Sequence, residues 1–267
     1  MSFVQLRSGV HHCELRPALP GARGPALLLV NALGTSTRLW DGLLDSLEFR
    51  GAVLGYDKRG HGLSERGEAP YTVEALAGDA LELLGAFGLD SVVVCGLSVG
   101  GLVAQELAAR APARVRGLVL CGTAARIGTP EGWQTRIDQV QAGGVGAIVD
   151  AVLARWFAPS FRARSPELER GYRCMLERAD TAGYLATLHA LRDADLTEQT
   201  ARLRLPALVV SGELDEATTA ADGRRLAASI AGARFELLAG AAHLLSVERP
   251  RELARLVDVF MAELGHG

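Results

Sequence analysis

The sequence predicts an α/β fold: a mostly parallel sheet of eight strands flanked by helices, with a helical cap inserted between two of its later strands. Three observations predict it. The apolar runs at 26–30, 91–95, 117–121 and 207–210 leave no polar face, which is the pattern of parallel strands covered on both sides. They alternate with amphipathic stretches of helical length, the order of β-α-β units. Between Cys121 and Leu205, however, no such run occurs, and about seventy residues is too many for one crossover.

Each element follows in turn. Residues 3–6 and 10–15 read as an antiparallel pair turning at Ser8-Gly9,. The buried strand 26–30 comes next, then a strand at 52–56 and a helix at 73–87. Strand 91–95, helix 98–110 and strand 117–121 complete the first half. Residues 127–200 read as helices at 132–142, 146–157, 167–179 and 182–192, set off by Gly128-Thr-Pro130 and Leu205-Pro206,. Strand 207–210, helix 220–229, strand 234–238 and helix 251–264 close the chain. The expected organisation is therefore a core of 1–126 and 201–267 carrying a cap of 127–200.

Composition narrows the function. A chain of 267 residues suits one large domain with an inserted subdomain,. Its 28 basic and 31 acidic residues give a net charge of −3 with no basic block, so no nucleic-acid surface is expected,. Cysteines at 13, 95, 121 and 174 have no metal-ligand spacing and read as thiols,. The N-terminal residues lack a signal peptide's apolar core, and no apolar run is long enough to span a membrane,. A cytoplasmic protein with no membrane partner is expected.

Chemistry enters at Gly96-Leu97-Ser98-Val99-Gly100, a G-x-S-x-G motif between a buried strand and a helix. In that context the serine is lifted on a sharp turn with its hydroxyl exposed above the sheet, and the helix behind it aims free N–H groups at developing negative charge. A serine hydroxyl needs a base to take its proton and a third group to orient that base. In the strand–turn–helix arrangement the order is serine, acid, histidine. Of the histidines at 11, 12, 61, 189, 243 and 266, three follow Ser98. His189 falls in the cap and His266 in the tail, whereas His243 follows a strand, so it is the expected base. Strand 207–210 leads into Gly212-Glu-Leu-Asp215-Glu216; Asp215 is the expected acid, with Glu213 and Glu216 facing solvent. The oxyanion hole would take the N–H of Val99 and the N–H of Leu33 in Asn31-Ala-Leu-Gly-Thr35,.

Asp57 and His61 in Tyr56-Asp-Lys-Arg-Gly-His-Gly-Leu-Ser64 would make a second acid–base pair, but both precede Ser98. The segment reads better as a glycine-rich loop stitched by polar side chains. His11 and His12, adjacent on a strand, point to opposite faces and make a poor metal pair,. With no H-E-x-x-H, G-x-G-x-x-G or P-loop, neither a metal, a nucleotide nor any other cofactor is expected,.

These motifs resemble the α/β-hydrolase superfamily over essentially the whole chain. A tighter resemblance, to the 3-oxoadipate enol-lactonases, lies in Asn31–Thr35 with Trp40, in Tyr56–Gly62, in Cys95-Gly-Leu-Ser-Val-Gly-Gly101, and in Leu120-Cys-Gly-Thr-Ala-Ala-Arg-Ile127. Within the cap it extends to Glu131-Gly-Trp-Gln-Thr-Arg-Ile137, Arg155-Trp-Phe157 and Ala190–Leu196. The resemblance implies opening of an enol-lactone ring to 3-oxoadipate in aromatic-compound catabolism. Its substrate carries a carboxylate, for which Arg136, walled by Trp133, is the expected site, with Arg126 and Arg192 as alternatives,. Trp133, Trp156 and Phe157 also suit the core of the cap.

Two segments depart from the family pattern. Asp215 is followed by Glu-Ala-Thr-Thr219, where a proline is expected, and His243 by Leu-Leu-Ser-Val-Glu248, where Ser-Asn is commoner before Val-Glu. A general carboxylesterase or a cofactor-free haloperoxidase-like perhydrolase would use the same three residues, so the pocket has to decide. A non-catalytic ligand receptor on the same scaffold is a reading of another class, opposed by the complete set of Ser98, Asp215 and His243.

Overall fold

The computed structural model describes residues 1–265, which leaves His266 outside the described residues. The eight strands are β1 (Ser2–Leu6), β2 (Gly9–Arg16), β3 (Ala26–Val30), β4 (Val53–Tyr56), β5 (Val92–Leu97), β6 (Val115–Cys121), β7 (Ala207–Gly212) and β8 (Arg234–Leu238). They form one sheet in the order β1-β2-β4-β3-β5-β6-β7-β8. β2 runs antiparallel to β1 and β4, and every other neighbouring pair is parallel.

Alternation along the central strands explains why their sequences are apolar throughout. Leu27, Leu29, Val93, Cys95, Val119, Cys121, Leu208 and Val210 belong to one buried cluster. Leu28, Val30, Val92, Val94, Leu118, Leu120 and Val209 belong to another, on the opposite face, as the two-residue period of a strand requires. Helices Val73–Ala86, Val99–Arg110 and Ala220–Ser229 contribute to the second cluster. Pro250–Glu263 and the helices between β6 and β7 contribute to the first.

The 3₁₀ helix Thr37–Trp40 and the helices Asp41–Ser46 and Leu245–Glu248 had no counterpart in the sequence reading. They are one or two turns long, too short to show an apolar period. Between β6 and β7 the described residues form no strand. The helix Pro130–Gly143 starts on the Thr129 side chain, which accepts the Gly132 N–H at 3.1 Å, and it ends at Gly144, where φ is +67°. The expected helix 146–157 divides into the 3₁₀ turn Val145–Ile148 and the α-helix Val149–Trp156. Proline at position 159 then opens the further helix Pro159–Arg164, as a residue lacking an N–H can do only at a helix start. Helices Pro166–Glu177, Thr181–Asp193 and Thr197–Thr200 complete the segment. Its two ends lie side by side, because the Leu196 N–H donates to the Ala125 carbonyl at 2.9 Å.

All four cysteines are free; three are buried and Cys174 is exposed. Among the described residues no helix is long and apolar enough to cross a membrane.

Candidate active site

β5 ends at Leu97, and Ser98 turns the chain into the helix Val99–Arg110 with φ 58° and ψ −121°. Among the described residues it is the one non-glycine with positive φ, a conformation that costs an L-residue energy and is kept where the surroundings impose it. Here the Ser98 N–H donates to Cys121 O at 3.0 Å, while Ser98 O accepts from Gly101 N–H and the Thr123 hydroxyl, both at 2.8 Å. Glycine at 96 and 100 is what lets the turn close. A Cβ on Gly96 would lie 2.2 Å from Gly100 O, and one on Gly100 would lie 2.1 Å from Val30 O, both backbone atoms.

His243 lies on the loop between β8 and the helix Leu245–Glu248. Its Nδ1–H donates to Asp215 Oδ2 at 2.8 Å, both side chains being buried. Asp215 is held in turn by the N–H groups of Ala217 and Thr218 on Oδ1, at 2.8 and 3.0 Å, and by the Thr218 hydroxyl on Oδ2 at 2.9 Å. Burial alone would raise the Asp215 pKa, but His243 and the Thr218 bonds outweigh it and hold the carboxyl below its ordinary range,. Gly122, just past β6, has φ +47°, and a Cβ there would press to 3.3 Å from Asp215 Oδ2 and 3.4 Å from His243 Nδ1. Glu213 and Glu216 are exposed, but Glu216 also lines the cavity over Ser98 and His243.

Glu248 braces the histidine loop. One carboxylate oxygen accepts the Ala242 N–H at 2.8 Å and the other accepts the Ala158 N–H at 3.0 Å. The Leu244 N–H also donates to Trp156 O at 3.0 Å. The loop is thereby tied to the helical segment between β6 and β7.

Ser98, His243, Leu33, Trp133 and Arg136 line one cavity of about 540 Å³. Asp215 sits behind His243, outside the lining. The Val99 N–H is the first of its helix and has no intrahelical acceptor,. Leu33 lies in the loop after β3. Trp133 is pinned by its indole N–H to Ile127 O at 2.6 Å, and the Arg136 guanidinium stands 5.4 Å from its ring centroid. Burial pulls the Arg136 pKa down; the Tyr184 phenol pulls it back up and Arg155 adds to the fall. No carboxylate figures among the groups acting on it. The alternatives are engaged elsewhere: Arg126 pairs with Asp195 at 3.1 Å, and Arg192 with Asp193 at 2.7 Å.

The cavity also takes in Arg155, Trp156 and Tyr184, to which the sequence reading assigned no substrate role. Phe157 lies fully buried, stacked on Phe161 at 5.1 Å, and is core.

Asp57 and His61 do not pair, and polar side chains stitch the loop that carries them. Asp57 Oδ2 instead accepts from His12 Nδ1 at 2.8 Å and from the Leu63 N–H at 3.0 Å, while Oδ1 accepts the Thr37 N–H at 2.7 Å. The antiparallel register of β2 on β4 puts Cys13 opposite Tyr56, which brings His12 beside Asp57. His61 hydrogen-bonds through Nδ1 to Arg59 O at 3.1 Å. Burial, reinforced by Lys58, drives its pKa down to about 3, so it is neutral at pH 7. Among the described residues no group of three His, Cys, Asp or Glu could hold a metal ion.

A sequence model described as alpha/beta hydrolase fold matches residues 25–250. The chain belongs to the α/β-hydrolase family. Within that family it is 35% identical to 3-oxoadipate enol-lactonase 2 of Acinetobacter baylyi over 237 residues, 89% of this chain and 88% of that one. Among solved structures it resembles the enol-lactonase of Burkholderia xenovorans LB400, with TM-score 0.93, 37% identity and coverage of 98% and 100%. A thermophilic esterase from Thermogutta terrifontis is similar at TM-score 0.91, with 26% identity and 99% of each chain covered. As an α/β-hydrolase the chain is a hydrolytic enzyme, and its similarity to enol-lactonases spans nearly all of its length.

Proposed function

We propose that this α/β-hydrolase opens the ring of 3-oxoadipate enol-lactone, with Ser98 as nucleophile, His243 as general base and Asp215 as the group that orients it. With Nδ1 bonded to Asp215, the free Nε2 of His243 takes the Ser98 proton as Oγ attacks the lactone carbonyl. The N–H groups of Leu33 and Val99 receive the oxyanion. Collapse breaks the bond from the acyl carbon to the ring oxygen. The departing enolate takes the proton from His243 and becomes a ketone. Water, giving a proton to His243, then attacks the acyl carbon, and Ser98 leaves with that proton as the acid is released.

One observation carries the choice of substrate: the cavity over Ser98 and His243 holds Arg136, on which no carboxylate acts, although Glu216 lines the same cavity. A half-buried guanidinium that bonds the Tyr184 phenol and pairs with no carboxylate fits a carboxylated substrate,. We read residues 127–200 as a cap over the core, supplying Trp133, Arg136 and Arg155 to that cavity. The similarity to enol-lactonases supports the same substrate. A general carboxylesterase is the second reading, supported by the apolar walls Ile127, Val152 and Leu191 and by the likeness to an esterase.

The test is hydrolysis of freshly generated 3-oxoadipate enol-lactone beside p-nitrophenyl acetate. Rapid lactone opening with feeble ester turnover supports the lactonase; ester cleavage without lactone opening leaves the esterase. Arg136→Met is expected to raise KM for the lactone by about 10- to 100-fold, the worth of a hydrogen bond to a charged group, while leaving p-nitrophenyl acetate unaffected. Equal losses on both substrates would remove Arg136 from carboxylate recognition.

A further inference from the structure

We propose that Lys58 is a positioning residue of the oxyanion hole: its ammonium, donating to the Ala32 carbonyl, fixes and polarises the peptide whose other end is the Leu33 N–H. The proposal rests on the serine-hydrolase reading above and adds to it a residue outside the cavity.

β3 and β4 are parallel neighbours with Val30 opposite Tyr56, so the chain just past β4 lies beside the chain just past β3. Lys58 is 1% exposed, and its Nζ donates to Asn31 O at 2.9 Å and Ala32 O at 3.0 Å. The same Ala32 oxygen accepts the Thr35 hydroxyl at 3.0 Å and the Thr35 N–H at 3.4 Å. Three donors thus converge on one carbonyl. In a trans peptide the C=O and N–H point in opposite directions, so holding Ala32 O on the Lys58 side turns the Leu33 N–H away from it. Drawing electron density toward that oxygen also makes the N–H a stronger donor, the cooperative effect of chained hydrogen bonds.

Bonds other than those of Lys58 also brace the loop. Asn31 bonds Tyr56 O at 2.9 Å and accepts the Trp40 indole N–H at 2.8 Å, and Asp57 holds the Thr37 N–H at 2.7 Å. A buried ammonium is a costly brace. Its charge is also close to titrating. Burial lowers the Lys58 pKa to about 7, with Asp57 opposing. The titratable groups facing it are Asp57, next in the chain, and the His61 imidazole in the following turn; residues 31–35 carry none.

The experiment compares the unsubstituted protein with Lys58→Met and Thr35→Val, using p-nitrophenyl acetate or the enol-lactone and the inhibitor trifluoroacetophenone. That ketone forms a hemiketal with a serine nucleophile and places its oxyanion in the hole. In Lys58→Met, kcat is expected to fall about 10- to 100-fold, short of the loss of a whole oxyanion donor, with KM within about twofold. Inhibitor affinity should fall by the same factor as kcat. The unsubstituted enzyme should show an alkaline fall in kcat as the ammonium is lost above pH 7, and Lys58→Met should lack it. A folded Lys58→Met with unchanged kcat and inhibitor affinity, or with a loss confined to KM, overturns the proposal alone. If that variant does not fold, Thr35→Val decides: a fall of kcat and inhibitor affinity together supports the proposal, and no change in either overturns it. Absence of Ser98-dependent turnover in the unsubstituted protein overturns the hydrolase reading itself, and this proposal with it.

Discussion

Ser98→Ala is expected to lower kcat by about 10⁴- to 10⁶-fold on whichever substrate the enzyme turns over, the cost of removing a serine nucleophile that acts with a histidine. KM should change little, because the cavity walls that hold the substrate are untouched. The melting temperature should also hold. Alanine keeps the Cβ that makes φ 58° unfavourable, and the bonds that impose it, from Ser98 N–H to Cys121 O and from Thr123 to Ser98 O, use only the backbone of residue 98. Kinetics and a thermal melt on the same preparation check both points. Turnover within tenfold of the unsubstituted enzyme would remove Ser98 from the chemistry.

Asp215→Asn is expected to cost about 10⁴-fold in kcat, the scale for an orienting carboxylate made neutral. The Asp215 oxygens face only donors: two backbone N–H groups on one, the Thr218 hydroxyl and His243 Nδ1 on the other. An asparagine keeps its carbonyl oxygen where the two fixed backbone donors are, which turns its NH₂ toward Nδ1. His243 must then accept at Nδ1 and carry its proton on Nε2, the nitrogen required to take the Ser98 proton. The fold tolerates the change better than the chemistry does, so kcat should collapse while the far-ultraviolet spectrum is kept. A kcat within tenfold of the parent's would mean that another group orients the base. The sign of the pH effect follows from the lowered folded pKa of Asp215. Its stabilising contribution is complete above the ordinary aspartate range and is lost as pH falls through the folded value.

Much of the scaffold was readable because its signals are local. The four apolar runs became β3, β5, β6 and β7, each wholly or almost wholly buried. Ser98, Asp215 and His243 each follow a strand, and chain order was enough to nominate them. What sequence could not supply was anything set by distant packing. His12 meets Asp57 through the register of two antiparallel strands, and no spacing along the chain encodes that. Arg155 and Tyr184 reach the cavity only once separate helices converge. Thr218, in the segment where a proline was expected, turns out to donate to the oxygen that receives His243. Lys58 carried no reading of its own in the sequence, and only its two carbonyl acceptors and its burial mark it out.

The bond from Leu196 to Ala125 gives the helical segment the form of a loop on a narrow stem. Both legs pass this one point with no strand between them, so exchanging the segment as a cassette would leave every strand of the sheet in place. Such a graft would carry Trp133, Arg136 and Arg155 with it and leave Ser98, Asp215 and His243 on the recipient frame. Several seams must match for it to take: Ala158 to Glu248 and Trp156 to Leu244 at the histidine loop, the Tyr172 hydroxyl to Arg38 O, and the close backbone approach of Gly183 to Gly60. A donor segment that breaks the first two would loosen the histidine loop from outside the stem, so compatibility between parents is decided at these seams as well as at the stem.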